Sequence, residues 1–144
     1  MNKAAKIFLV LNAIAFMLIG IKTTIDPVAS LASQDLSPQS ITAANELRSI
    51  YGGMHFTFGC MMLAGALMAS LTRHALWFCA AFLGGLVAGR LSSLILDGQP
   101  NDFVMFLLVF ESVVLLCALI LQHGIRGRSD RRHLPSRRIH KRKR

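Results

Sequence analysis

Two charged side chains lie inside apolar stretches of the length that crosses a membrane. Arg90 belongs to the stretch 75–96 and Glu111 to the stretch 102–122. A charge at the centre of a span costs about 2.5 kcal/mol or more, so it survives when it faces a bundle interior and finds a partner. Such an arginine attracts an anion or balances a carboxylate, and such a glutamate binds a cation or a proton.

The two charges fall at matching depth in a predicted antiparallel hairpin. Arg90 is seven residues before Asp97, and Glu111 is nine residues after Asp102. At the rise of a helix they lie about 10 Å and about 13 Å below the same surface. An ion pair across the hairpin is therefore geometrically easy.

A preceding apolar segment carries further polar groups in its first half. At 100° per residue, Arg48, Tyr51 and His55 share one helix face. We expect them at the depth of the hairpin charges, with other groups completing a network near the surface. The candidate binding site is an intramembrane polar cluster of Glu46, Arg48, Tyr51, His55, Arg90, Asp97 and Glu111.

Two interpretations of this cluster stay open. It is either a site for a solute, an ion or a proton, or a structural ion pair that fixes helix register because lipid offers no other partner. His55 has the same two interpretations, a proton relay or a hydrogen-bonded packing residue.

The composition agrees with an integral membrane protein. The chain has 144 residues, of which 53% are hydrophobic and only 16% are charged, whereas soluble domains have about 25% charged residues. The pattern predicts an all-α bundle of four transmembrane helices in residues 1–123, at about 5–25, 43–71, 75–96 and 102–122. A cleaved signal peptide is the alternative interpretation of the first helix.

The connections between the helices are also predicted. The outer loop 26–42 contains Asp26-Pro27, a helix cap followed by proline, which indicates a short surface helix after it. Thr72-Arg73-His74 is a minimal turn between the second and third helices. Basic residues in short loops face the cytoplasm, so Lys3, Lys6 and Arg73 indicate that both termini are cytoplasmic.

Residues 124–144 form a basic tail that accounts for the net charge of +9. Like charges with Gly and Pro predict a disordered cytoplasmic segment. We expect it to meet anionic lipid headgroups, while nucleic acid is a poor fit because no aromatic residue interleaves the charges. The basic residues are Arg126, Arg128, Arg131, Arg132, Arg137, Arg138, Lys141, Arg142, Lys143 and Arg144.

Small residues on the third helix predict close packing on the face opposite Arg90. Such stripes let helix backbones approach one another in membranes, which indicates a contact with the first helix or a homo-oligomer through the third. The residues expected to pack in this way, with two glycines of the second helix, are Gly52, Gly53, Ala81, Gly85, Ala88 and Gly89.

The sequence contains no pattern that favours an enzyme. Cys60, Cys79 and Cys117 lie in apolar runs and are expected to pack as small hydrophobes. No nucleotide-binding loop, nucleophile motif or metal-spaced His/Cys cluster is present, so we expect no catalysis, cofactor or metal.

The combination of these motifs resembles the bacterial domain-of-unknown-function family 4345. The resemblance rests on Asn45-Glu46-Leu47-Arg48-x-x-Tyr51-Gly52-Gly53, on Gly89-Arg90 with Asp97-Gly98, and on Glu111 in the last span. It implies a small four-span inner-membrane protein over about residues 5–122 and carries no activity with it.

Two functions remain as hypotheses. The first is a small oligomeric transporter or permeability factor for a solute, ion or proton, with an outward-facing polar pocket in the bacterial inner membrane. The second is a non-transporting membrane subunit that stabilises or regulates a larger complex, in which the ion pairs are structural.

Overall fold

A computed structural model describes residues 3–132, with side-chain surroundings up to residue 124. In this range the chain consists of helices joined by short turns and loops. Four helical segments are long and apolar enough to cross a membrane: Lys3–Ile25, Ile41–Leu67, Thr72–Leu96 and Asp102–Gly124. The predicted all-helical fold with four membrane-length helices is confirmed.

The first span is helix α1, Lys3–Ile25, and it leads directly into a short helix α2, Pro27–Leu31, and a 3-10 turn, Ala32–Gln34. The Asp26 carboxylate accepts a hydrogen bond of 3.1 Å from the Ala29 amide. Pro27 takes the first helical position, where a missing N–H is harmless. The cap and proline therefore start a surface helix, as the sequence predicts.

The second span changes its helical form halfway. It comprises α3, Ile41–Leu47, a π-helical segment, Arg48–Met54, and α4, His55–Leu67. In a π-helix each amide donates to the carbonyl five residues back. Such turns are rare in proteins, and those that occur often lie at functional sites. The wider turn rotates the residues that follow it relative to those that precede it, and the sequence pattern did not reveal it.

The last two spans form the predicted antiparallel hairpin of α5, Thr72–Leu96, and α6, Asp102–Arg132. In the connection, Gly98 has a φ of +96°, which is open to glycine and strained for other residues. The Asn101 side chain then accepts a hydrogen bond of 2.9 Å from the Val104 amide and caps α6.

Two predicted boundaries differ from the structure. The chain reverses at residues 68–71, and Thr72-Arg73-His74 form the first turn of α5, where the Thr72 hydroxyl donates to the Gly65 carbonyl at 2.8 Å. Helix α6 continues to Arg132 instead of ending near 122, and the chain contains no proline between Pro100 and Pro135 that would interrupt it. The remainder of the tail, 133–144, lies outside the described residues.

The bundle is built from two helix pairs. Helix α1 packs along the π-helical segment and α4, and α5 packs along α6, while α4 joins the pairs by packing on α5. The buried apolar core lies towards the end of the bundle that holds Ala5, the turn 68–71 and Gly124, here called the terminal end. Its members include Leu9, Ala13, Met62, Ala66, Leu76, Cys79, Ala80, Leu83 and Ala118.

Glycines provide the close approach between α1 and the second span. A Cβ atom at Gly59 would lie 2.9 Å from the Ala13 carbonyl oxygen, and one at Gly20 would lie 2.6 Å from the Phe56 amide nitrogen. Gly52 packs in the same way against Thr24 of α1. This interface joins glycines from different helices, and a search for motifs within one helix misses it.

The predicted small-residue stripe of α5 is left uncovered by the other described helices. Ala81, Gly85, Ala88 and Gly89 are exposed, and Gly85 and Gly89 have open space where a Cβ atom would stand. Of the two contacts that the sequence indicates for this face, the one with the first helix is not formed among the described residues, because α1 packs along the second span. The contact with a second copy stays a prediction. Gly53 is likewise exposed.

Candidate functional site

The two helix pairs enclose a cavity of about 630 Å³ at the end of the bundle that holds the connections 26–40 and 97–101, here called the loop end. Its apolar walls are Ile19 and Ile25 of α1, Leu86 of α5, and Phe103 and Leu107 of α6. Its polar residues are Lys22, Asp26, Ser30, Gln34, Tyr51, His55, Arg90 and Glu111. Polar groups thus lie both near the surface and deep among apolar side chains.

The deepest charged groups form a two-point ion pair. Arg90 Nε donates to Glu111 Oε2 at 2.7 Å, and Arg90 Nη2 donates to Glu111 Oε1 at 2.9 Å. This planar geometry is the strong form of an arginine–carboxylate contact. The side chains are 20% and 11% exposed, so the pair is largely withdrawn from solvent. The matching depths read from the sequence correctly predict the pairing.

His55 is fixed by a hydrogen bond and by three rings. Its Nδ1 atom lies 3.1 Å from the Ile50 carbonyl oxygen, and because a carbonyl only accepts, Nδ1 carries the proton. Its ring stacks on Phe16 and on Tyr51, each with centroids 5.6 Å apart, and Phe82 meets it edge-on. In a neutral imidazole with Nδ1 protonated, Nε2 is a hydrogen-bond acceptor.

The cavity has a closed floor towards the terminal end. The ring centroids of Phe16 and Phe82 lie 5.4 Å apart, and those of Phe58 and Phe82 lie 4.2 Å apart. Below these rings comes the apolar core, in which Leu9, Leu76 and Cys79 have no exposed surface. Within the described part of the chain the cavity is therefore a blind pocket and not a channel through the bundle.

A roof of α2 and the 3-10 turn partly covers the cavity at the loop end and leaves it half open. The Ser30 and Thr23 hydroxyls share a hydrogen bond of 2.7 Å, which holds α2 against α1. On the other side, the Asn101 amide donates to the Ser33 carbonyl and to the Asp35 carboxylate. The roof thus bridges the two helix pairs at the end where they stand apart.

The structure assembles part of the predicted polar cluster. Tyr51, His55, Arg90 and Glu111 line one cavity. Arg48 instead donates from Nε to the Thr24 carbonyl at 3.1 Å, which satisfies a carbonyl in the last turn of α1.

The expected network near the surface is absent among the described residues. Asp97 accepts a hydrogen bond of 2.8 Å from Ser93 at the end of α5, and Glu46 is exposed on α3. Neither residue lines the cavity.

Four residues of the cavity were missed by reasoning from the sequence. Lys22, Asp26, Ser30 and Gln34 enter it from the end of α1 and from the roof. They recur at every fourth position, which is the spacing of one helix face. That spacing was a usable signal, although the chain turns from α1 into α2 within it.

The fold and the cavity define the class: a helical protein with four membrane-length helices and a partly buried polar pocket between two helix pairs. Residues 4–122 match the family described as Domain of unknown function (DUF4345), and the chain belongs to that family. Comparisons with curated proteins and with solved structures found no significant match.

Proposed function

We propose that this protein binds a small solute in the cavity and acts as a small membrane transporter or permeability factor. The observation that supports this best is a cavity of about 630 Å³ lined by an ion pair, a histidine and a tyrosine, all of which belong to helices of membrane-spanning length. Small-molecule sites typically have this size and this mixture of apolar walls and a few convergent polar groups.

The orientation belongs to the same proposal. Lys3, Lys6 and Arg73 lie near the terminal end, and the basic tail follows it. With this end in the cytoplasm, the cavity faces outward from a bacterial inner membrane and the tail lies against anionic headgroups. A small four-helix bundle would transport as an oligomer, and the uncovered α5 face of Ala81, Gly85 and Ala88 is our candidate for its contact.

We propose binding and transport in preference to catalysis. The Ser30 hydroxyl in the cavity is engaged by Thr23, and the Glu111 carboxylate is engaged by Arg90. Neither is arranged as a nucleophile next to a free base, which acyl or phosphoryl chemistry requires.

One observation favours the alternative, a membrane subunit that assembles with a larger complex and does not transport. Both oxygens of Glu111 are bonded to Arg90, as expected of a pair that only holds α5 and α6 together. Under this alternative the floor of the cavity never opens.

The two functions are separated by the accessibility of the floor. Leu83 is 3% exposed in the apolar core, so Leu83→Cys, in a variant with Cys60, Cys79 and Cys117 replaced by alanine, reports opening towards the terminal end. A transporter must expose this residue to water in some part of its cycle. We expect a membrane-impermeant maleimide inside proteoliposomes to label it slowly, and the same reagent outside to leave it unlabelled.

Leu116→Cys in the same background is the matched control, because Leu116 of α6 is 58% exposed on the outer surface of the bundle and lies outside the proposed contact between copies. A lipid-facing cysteine should resist labelling from both sides. If Leu83→Cys is as protected as Leu116→Cys from inside, the floor does not open and the non-transporting subunit is the better account.

A further inference from the structure

The guanidinium of Arg90 has a hydrogen-bonding edge that Glu111 does not use. A guanidinium has five N–H donors, and Glu111 accepts from Nε and once from Nη2. The edge formed by Nη1 and the second Nη2 hydrogen has no acceptor among residues 3–124. Arg90 lines the cavity, and a guanidinium edge of this kind binds a second carboxylate with two parallel hydrogen bonds.

The charges of the cavity are balanced before any ligand enters. Lys22 and Asp26 contribute one charge of each sign near the loop end, and Arg90 and Glu111 contribute one of each sign below them. A ligand monoanion on Arg90 would leave one negative charge in excess beside Glu111. An uncompensated charge at membrane depth is costly, so the monoanion requires one additional positive charge close by.

His55 is the group in the cavity that can supply this charge. Its Nδ1–H is engaged by Ile50, and Nε2 has no hydrogen-bond partner among residues 3–124. The charged or titratable groups that line the cavity with it are Tyr51 from the π-helical segment, Arg90 from α5, Glu111 from α6, and Lys22 and Asp26 near the loop end. The remaining rings packed on it, Phe16 and Phe82, carry no charge.

We infer that the cavity binds a monocarboxylic acid with an apolar body, taken up as the anion together with one proton. The carboxylate lies on the open edge of Arg90, the proton is held at His55 Nε2, and the apolar body lies against Ile25, Phe103 and Leu107. The charges then sum to zero. This inference rests on the proposed solute-binding function and specifies its substrate class.

The test measures proton uptake when benzoate binds to the full-length protein in lipid nanodiscs. Isothermal titration calorimetry at fixed pH in two buffers of different ionisation enthalpy gives the number of protons taken up. We expect about one proton per benzoate, and a dissociation constant that rises about tenfold for each pH unit above neutrality. Benzamide, which has the same ring without the acid, should bind with no proton uptake.

Two variants locate the anion and the proton. His55→Gln keeps a side chain that can donate to Ile50, and it should abolish the proton uptake. His74→Gln is the matched change at an exposed residue outside the cavity. It should leave the proton uptake intact. Arg90→Lys keeps the charge but lacks the planar guanidinium. This change should raise the dissociation constant of benzoate at least tenfold more than that of benzamide.

The outcomes distinguish this inference from the function on which it rests. Binding of benzamide without benzoate would overturn the carboxylic acid and leave a solute site. Undiminished proton uptake in His55→Gln would overturn the role of that histidine. If neither benzoate nor benzamide binds, while circular dichroism shows folded protein, the solute-binding function itself fails.

Discussion

Replacing Arg90 by methionine is expected to lower the free energy of unfolding by about 3 kcal/mol, whereas the double variant Arg90→Met/Glu111→Leu recovers most of that loss. The single change leaves the Glu111 carboxylate, 11% exposed, without its two hydrogen-bond donors. The double change removes both charges and replaces them with side chains that pack. Unfolding in mixed micelles titrated with sodium dodecyl sulfate, followed by circular dichroism, measures both variants.

Asp97→Asn is the matched control for this series. Asp97 is exposed at the end of α5 and accepts one local hydrogen bond from Ser93, so the change should cost less than about 0.5 kcal/mol. A single variant as stable as the parent would show that Arg90 and Glu111 are not coupled in the folded protein.

The double variant also separates structure from function. If Arg90 and Glu111 serve only to hold α5 on α6, Arg90→Met/Glu111→Leu should be folded and should bind benzoate no differently from the parent protein. If they form the binding site, the same folded protein should have lost benzoate binding. One folded variant therefore discriminates between the two functions.

Replacing Gly20 by alanine is expected to destabilise the protein by about 2–3 kcal/mol. The new Cβ atom would lie 2.6 Å from the Phe56 amide nitrogen and 2.8 Å from the Gly52 carbonyl oxygen. Both are backbone atoms, so no side chain can rotate to relieve the clash, and α1 must move away from the second span. That movement also displaces Tyr51 and His55, which line the cavity from the second span.

Gly84→Ala is the control with the same chemical change on another helix. A Cβ atom at Gly84 meets nothing within 4 Å, and alanine has the higher helix propensity by up to about 1 kcal/mol. This variant should be as stable as the parent or slightly more stable in the same detergent titration. Equal losses at Gly20 and Gly84 would contradict the assignment of the helix interface.

The hairpin and its ion pair could be predicted from the sequence because both depend on distances along a regular helix. Arg90 and Glu111 were placed at matching depth by counting residues from the turn, and the structure pairs them at 2.7 Å. Counting works here because α5 and α6 are uninterrupted between the turn and the charges.

The rest of the site depends on features that a helical wheel does not represent. The wheel treats the second span as a regular α-helix, but the π-helical segment Arg48–Met54 intervenes. In the structure Arg48 binds the end of α1, and His55 is directed into the cavity. The roof was missed for a similar reason, because the break at Asp26 hides that Lys22 and Ser30 face the same space.

The glycines show a second limit of the sequence pattern. Gly85-x-x-x-Gly89 matches the motif of close helix contacts, yet both residues have open space beside them. Gly20, Gly52 and Gly59 form the contact instead, and their partners come from another helix. Which face of a helix is covered depends on how the helices are arranged, and a local motif contains no information about that arrangement.

We propose that the space between the helix pairs is a water-accessible binding pocket that faces outward. Leu107 lines the cavity, whereas Val109, two residues further along α6, is 61% exposed on the outer surface of the bundle. Each can be replaced by cysteine in a protein whose native cysteines are alanine, and labelled from outside in right-side-out vesicles with a membrane-impermeant maleimide. Because the thiolate reacts only where water reaches it, Leu107→Cys should label rapidly and Val109→Cys should not. Protection of both positions, or labelling of Leu107→Cys only from the cytoplasmic side, would contradict an outward-facing pocket.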